Sequence, residues 1–214
     1  MLKRDRNTIG IFARLLDFIY PSVCEVCQIP LTHGYSLRKN CRSELPKIIS
    51  PFCKKCGEPF DGKINDKFRC QNCDGLKVDF SFARASLKGL TLSFRLVHGL
   101  KYQRQFFLAR ELALFLKETL EEDPRFDEFK SAVLVPVPLF WRREQWRQGN
   151  QAYELSRELS RLSGHETIEA IKRTRPTNTQ TKLNRKQRLS NLRDAFRIRK
   201  KHASFIAKRK VIII

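Results

Sequence analysis

Seven cysteines, Cys24, Cys27, Cys41, Cys53, Cys56, Cys70 and Cys73, lie within fifty residues of a 214-residue chain, and six of them form three C-x2-C pairs. No other feature restricts the fold as much. A C-x2-C turn sets two thiolates on one side of a tight knuckle, and two facing knuckles complete a tetrahedral four-sulfur site that suits zinc. Thirteen residues separate Cys53 and Cys56 from Cys70 and Cys73, close to the usual zinc-ribbon spacing. Gly57 follows the second knuckle cysteine, where a residue tolerant of positive φ is favoured. This quartet is complete and leaves no open ligand position, so zinc is read as structural rather than catalytic. Metal binding worth about 10–16 kcal/mol stands in for the core that so small a module lacks. A rubredoxin-type iron or an iron–sulfur cluster is the alternative occupant.

The remaining set is one ligand short: Cys24 and Cys27 face only Cys41. Either His33 supplies the fourth ligand, giving a Cys3His site, or the set has decayed and holds metal weakly or not at all. A disulfide framework is disfavoured. The apolar residues Ile9, Ile11, Phe12, Leu15, Leu16 and Ile19 have helical spacing, but Arg14 and Asp17 interrupt them and no small-residue cleavage site follows. The spacing predicts an amphipathic helix over 1–20, ending at Pro21, with its stripe packed on the cysteine module. Without a secretion signal the cysteines belong in a reducing, cytoplasmic compartment. Apolar runs such as Ala132–Pro138 fall far short of the roughly 20 residues a membrane span needs.

The cysteine-rich module is bounded at 21–78, and residues 79–214 form a second domain without cysteine. Phe80–Leu87 reads as a strand closed by Lys88-Gly89. Helical spacing covers Leu92–Leu100, Arg104–Glu121 and Gln151–Leu162. Ala132–Pro138 is a wholly apolar run, fitting a buried parallel strand that leaves the sheet at its prolines. Thr174–Thr181 reads as a loop, Lys186–Asn191 as a helix, and Ala195–Arg199 and Lys210–Ile214 as strands. Strands alternating with helices imply an α/β domain.

Charge then narrows the function. The chain carries +21, and residues 172–210 alone hold fifteen Lys or Arg against Asp194, a local +14. Such a segment is either a plain basic surface or the footprint of a polyanion: nucleic acid, a phosphate-rich ligand or an acidic membrane. With 41% hydrophobic and 30% charged residues, the chain is not disordered overall. In open α/β sheets, ligands bind beyond the C-terminal ends of strands. After Pro138 come Arg142, Arg143 and Arg147, whose forked guanidinium groups suit phosphate, and Gly149, which lets backbone approach closely. Trp141 and Trp146 are either packing residues or stacking platforms for a base.

Taken in order, these pieces resemble the ComF family of competence-associated, phosphoribosyltransferase-like proteins over nearly the whole chain. The matching pieces are the N-terminal helix, the cysteine module and Leu100-Lys101-Tyr102. They continue with the V-P-V-P-L exit at Val135–Leu139 and W-R-x-G-N-Q at Trp146–Gln151. The last is Thr179-Gln180 … Leu183 … Arg188 … Asn191-Leu192 … Ala195-Phe196. The resemblance implies a type I phosphoribosyltransferase fold behind a zinc finger, and a role in handling single-stranded DNA during natural transformation. By position, the loop after Val137-Pro138 would bind pyrophosphate, and Thr174–Arg185 would be the flexible loop over the site. Single-stranded DNA, another polyanion or other competence proteins would be partners.

Three departures qualify that picture. Arg38 stands where the family has a cysteine, which explains the incomplete first set. The family's aromatic residue between Gly149 and Asn150 is missing. The chain ends at Val211–Ile214, where the family continues into V-D-D-V-x-T-T-G, the motif that holds phosphoribosyl pyrophosphate (PRPP). The expectation is therefore a C-terminally incomplete phosphoribosyltransferase-like domain without transferase activity, PRPP belonging only to an intact member. Lys210–Ile214 would then be an exposed apolar edge. The alternative is a non-enzymatic zinc-ribbon protein that binds single-stranded nucleic acid.

Overall fold

The computed structural model describes residues 23–31, 36–62, 70–75, 79–180 and 183–214. The helix expected over 1–20 and the candidate ligand His33 lie outside them. At the N-terminal end, two short cysteine hairpins repeat one pattern. Val23 bridges Pro30 around the first knuckle and Phe52 bridges Pro59 around the second. In each, the amide following the second cysteine returns to the first cysteine's carbonyl: Gln28 N–H to Cys24 O and Gly57 N–H to Cys53 O, both 2.8 Å. That closure requires positive φ, taken by Gln28 at 59° and Gly57 at 76°. At Gly57 an added Cβ would also meet the Ala83 carbonyl oxygen at 2.9 Å, so glycine is required there for space as well.

The first hairpin continues into α1 (Lys39–Ser43) and docks on two helices, α2 (Thr91–Tyr102) and α3 (Leu108–Glu122). Leu37 and Leu45 join Leu96, Leu100, Leu108 and Phe115 in one buried cluster. Arg42 lies 4.5 Å over the Phe115 ring and donates to Glu111 at 3.1 Å and Glu118 at 2.7 Å. The helix expected from Arg104 begins instead at Leu108. Arg104 takes a φ of 59°, which breaks the chain after Tyr102, and Phe107 is left exposed.

Phe80–Leu87 is not a strand, apart from a bridge at Leu87 to Lys47. It runs extended over the cysteine hairpins and bonds their irregular backbone singly. Ala83 N–H donates to Lys55 O, Ile48 N–H to Ser86 O and Lys88 N–H to Pro46 O. Its alternating pattern is used by Phe82, which packs edge-on against Phe126 and Phe129 of the 3-10 turn Pro124–Phe129.

The expected apolar strand is β1 (Val133–Val135), buried on both faces. It pairs in parallel with β4 (Val211–Ile213), Leu134 opposite Ile212, and its other side takes a parallel bridge from Thr167. Leu134 faces Ala113 of α3 and Leu159 of α5 (Gln151–Ser163). Val133 and Val135 face Ala170 and, behind it, Phe205 and Ile206. Ile213 is exposed, while Val211 and Ile212 are half-buried. A second ladder, β2 (Ile171–Arg173) antiparallel to β3 (Phe196–Ile198), carries the segment holding α6 (Arg185–Leu192). The short helix α7 (Lys200–Ile206) follows β3; its run of charge at Lys200 and Lys201 hides the apolar Phe205 and Ile206 that anchor it.

Candidate metal centres and anion site

The two cysteine groups are held by the hairpins just described. The Sγ atoms of Cys53, Cys56, Cys70 and Cys73 all lie within 4.8 Å of one another. Cys53 to Cys73 is 4.0 Å and Cys56 to Cys70 is 3.3 Å. A tetrahedral zinc with bonds of about 2.3 Å needs sulfurs about 3.8 Å apart, so the set fits. Burial pushes the Cys53 thiol up, but the backbone N–H groups of Cys56, Cys70 and Lys55 outweigh it and bring it down to about 6. That is the thiolate a metal requires. Burial pushes Cys56 and Cys73 up, the pattern of thiols crowded together around one anion. These four residues would hold zinc as a crosslink between the second hairpin and the Cys70–Cys73 turn.

Cys24, Cys27 and Cys41 also gather within 4.8 Å. Burial opposes it, but the N–H of Arg38, followed by those of Cys27 and Val26, brings the Cys24 thiol down to about 7. The Arg38 N–H reaches Cys24 Sγ at 3.3 Å. Thus residue 38 is already beside the sulfur, but its side chain is an exposed guanidinium rather than a fourth ligand.

Beyond β1 the chain passes Val137 and Pro138 through irregular backbone up to Phe140 and enters α4 (Trp141–Arg147). Asn150 ties this excursion shut. Its Nδ2 donates to Val137 O at 3.1 Å, while its Oδ1 accepts from Ala152 N–H and caps α5. Gly149 passes so close to Phe106 that an added Cβ would lie 3.0 Å from its ring.

The four residues expected to grip phosphate are not equivalent. Arg142 is exposed and lies over Trp141. Arg147 is turned inward, over the Tyr102 ring at 4.8 Å and donating to Gln151 at 3.0 Å. Gly149 serves the approach of Phe106. Arg143 reaches across to the basic segment and donates to Thr177 O at 3.1 Å. There it meets Arg173, which donates to the Thr177 hydroxyl. Arg175, beyond it, donates to the carbonyls of Asn191 and Arg193. Burial, then the charges of Arg143 and Arg175, press the Arg173 guanidinium below its ordinary value. Among the described residues no carboxylate pairs with Arg143, Arg147, Arg173 or Arg175, and the buried Nε atoms of Arg147 and Arg173 lack a partner. Half-buried guanidinium groups with no counter-ion favour an anion, with phosphate matching their fork.

Arg173 and Arg175 were not singled out in the sequence, although they alternate along Lys172-Arg173-Thr174-Arg175 and so share one side of an extended chain. Trp141 and Trp146 are 54% and 66% exposed, so neither ring belongs to the buried core, though Trp141 lies against Phe140 at 5.9 Å. A cavity of about 550 Å³ between Glu166–Glu169 and α7 is lined by acids and bases together, Glu166 and Glu169 facing Arg199, Lys201 and His202, so it lacks the uncompensated positive charge of the arginine cluster.

The chain matches the family model described as "Double zinc ribbon domain" over residues 15–74. It is 33% identical to "Competence protein F" of Haemophilus influenzae over 165 residues, which cover 75% of this chain and 69% of that protein. It is 30% identical over 181 residues to "DNA utilization protein YhgH" of Escherichia coli K12, covering 83% and 78% of the two chains. The Salmonella typhimurium protein of the same name is 31% identical over 184 residues, with the same shares. No solved structure matches.

Proposed function

The chain belongs to the ComF family, that of Competence protein F and DNA utilization protein YhgH, and from this we propose that it handles DNA taken up in natural transformation. The observation that carries the reading to particular residues is the meeting of Arg143 and Arg173 at Thr177, without a carboxylate among the described residues. Phosphate oxygens are the ligand this arrangement suits, whether of single-stranded DNA or of a pyrophosphate group. Arg142, exposed against Trp141, would supply an outer contact, and Arg147 and Gly149 would hold the shape of the loop. The partner is a polyanion, with other competence proteins as further partners.

Residues 79–214 are read as a phosphoribosyltransferase-like domain behind the cysteine module of 21–78, preceded by the helix of 1–20. What supports this is the parallel pairing of β1 with β4 and the position of α4 beyond the C-terminal end of β1, where α/β folds bind ligands. The 214 residues hold no acidic pair followed by Thr-Thr-Gly. This polypeptide on its own is therefore expected to lack transferase activity, and micromolar binding of PRPP in a calorimetric titration would contradict that. The second reading, a non-enzymatic binder of single-stranded nucleic acid, gains from the exposed indoles of Trp141 and Trp146 beside Arg142, since aromatic faces stack on bases. A cytoplasmic location is part of both readings; no helix among the described residues is long and apolar enough to cross a membrane.

The test is single-stranded DNA binding as a function of salt. The expected result is a steep fall in affinity with ionic strength, competed by pyrophosphate. A flat dependence would remove the polyanion reading.

A further inference from the structure

The double zinc ribbon implies two equivalent metal sites, and the residues of this chain do not fit that equivalence. Three thiolates, Cys24, Cys27 and Cys41, converge in the first site, and position 38, spaced as a C-x2-C partner of Cys41, is occupied by an exposed arginine. In the second site four thiolates converge.

The surroundings differ in the opposite sense. Around the first site lies a large apolar cluster: Leu37 and Leu45 packed with Leu96, Leu100, Leu108 and Phe115. Arg42 and Lys47 add ion pairs to Glu111 and Glu118 of α3. Among the described residues, the buried cluster around the second site consists of Cys53, Cys70 and Cys73 themselves, with Cys56 and Phe60 packed against it. Its ties to the rest of the chain include backbone and cation–ring contacts, such as Ala83 N–H to Lys55 O and Arg84 over Phe52 at 3.7 Å. Burying several large apolar side chains contributes about 2 kcal/mol each, enough to fix a small hairpin without metal. A module lacking such a core depends on its ion.

We propose that the two ribbons are unequal: the second is a closed four-thiolate zinc site on which its own fold depends. The first offers three thiolates and no fourth ligand among the described residues; it is fixed by apolar docking, and its zinc is weakly held and exchangeable. An ion there completes its shell with water or an external ligand. The inference rests on the ligand sets and cores alone and stands or falls separately from the DNA-handling reading.

The test uses the full chain loaded with zinc and titrated with a competing chelator. The expected result is two separate steps, with one zinc lost early and one retained. Hydrogen exchange after the first step should leave the amides of 23–31 and 36–48 protected, and after the second should lose protection in 52–62 and 70–75. Arg38→Cys, which adds the missing thiolate beside Cys24, should convert the early step into a late one. Release of both ions together from the unaltered chain would overturn the proposal. Loss of protection in 23–48 at the first step would do the same. So would a His33→Ala chain that loses its first zinc earlier than the unaltered chain does, because the fourth ligand would then come from the chain itself.

Discussion

The guanidinium of Arg143 donates from Nη2 to the carbonyl oxygen of Thr177 at 3.1 Å. One short bond thereby joins the helix that follows β1 to the most basic segment of the chain, thirty-four residues away. Arg173 reaches the hydroxyl of the same threonine, so two cations converge on one residue with no acid between them among the described residues. Each half-buried guanidinium raises the cost of the other, and a bound phosphate would relieve both. Arg143→Gln and Arg173→Gln should each weaken single-stranded DNA binding and lower the slope of log affinity against log salt by roughly one unit. Arg209→Gln, at an exposed ion pair with Glu166, should leave that slope unchanged. Equal effects from all three, measured by fluorescence anisotropy, would mean that binding follows net charge and not this arrangement.

Asn150 does two things at once, and two substitutions separate them. Asn150→Asp keeps the oxygen that caps α5 but loses the Nδ2 donor to Val137 O; Asn150→Ala loses both. The expected cost is about 1 kcal/mol for aspartate and about 2 kcal/mol for alanine, read from urea unfolding midpoints. Equal losses would show that the cap on α5 contributes nothing, and an Asn150→Asp chain as stable as the unaltered one that the Val137 bond contributes nothing.

Gly149→Ala should destabilise the chain by about 1–2 kcal/mol, because the new methyl meets the Phe106 ring at 3.0 Å and the backbone there has a φ of +158°. Trimming the ring with Phe106→Leu should recover the steric part. A double variant no better than the sum of the singles would place the cost in the backbone alone.

What the sequence could show depended on how far apart the cooperating atoms are. The complete cysteine quartet was legible because its ligands sit in two local knuckles whose spacing is the information. The strand at Val133–Val135 was legible because a strand buried on both faces is apolar at every position. Phe80–Leu87 was misread because its alternation serves packing of Phe82 on Phe126 and Phe129 rather than a strand partner. The arginine cluster was half legible. Arg143 stood out by its place after a strand, but Arg173 and Arg175 join it only through the fold of a segment whose charge alone says little about direction. Nothing local distinguishes Arg147, turned onto Tyr102, from Arg142, turned to solvent on the same short helix.

The last prediction concerns acid. Asp123 is buried and accepts from Arg125 at 2.6 Å and from Arg84 at 3.3 Å. The Arg125 hydrogen bonds hold its carboxyl below the ordinary value, against burial, with Arg84 adding to them. A carboxyl whose folded pKa is depressed contributes stability that is fully present above its unfolded value, near 3.8. That contribution is lost as pH falls through the lower folded value. Stability should therefore be level in this respect at neutral pH and decline below about pH 4. Asp123→Asn should cost roughly 3 kcal/mol at pH 7, because it leaves Arg84 buried beside Phe52 without its counter-charge, and should flatten the decline below pH 4. Thermal melts of both chains from pH 7 to pH 3 test this. Parallel curves would show that the acid sensitivity lies elsewhere, and a variant more stable at pH 7 would show that desolvation of the pair outweighs its attraction.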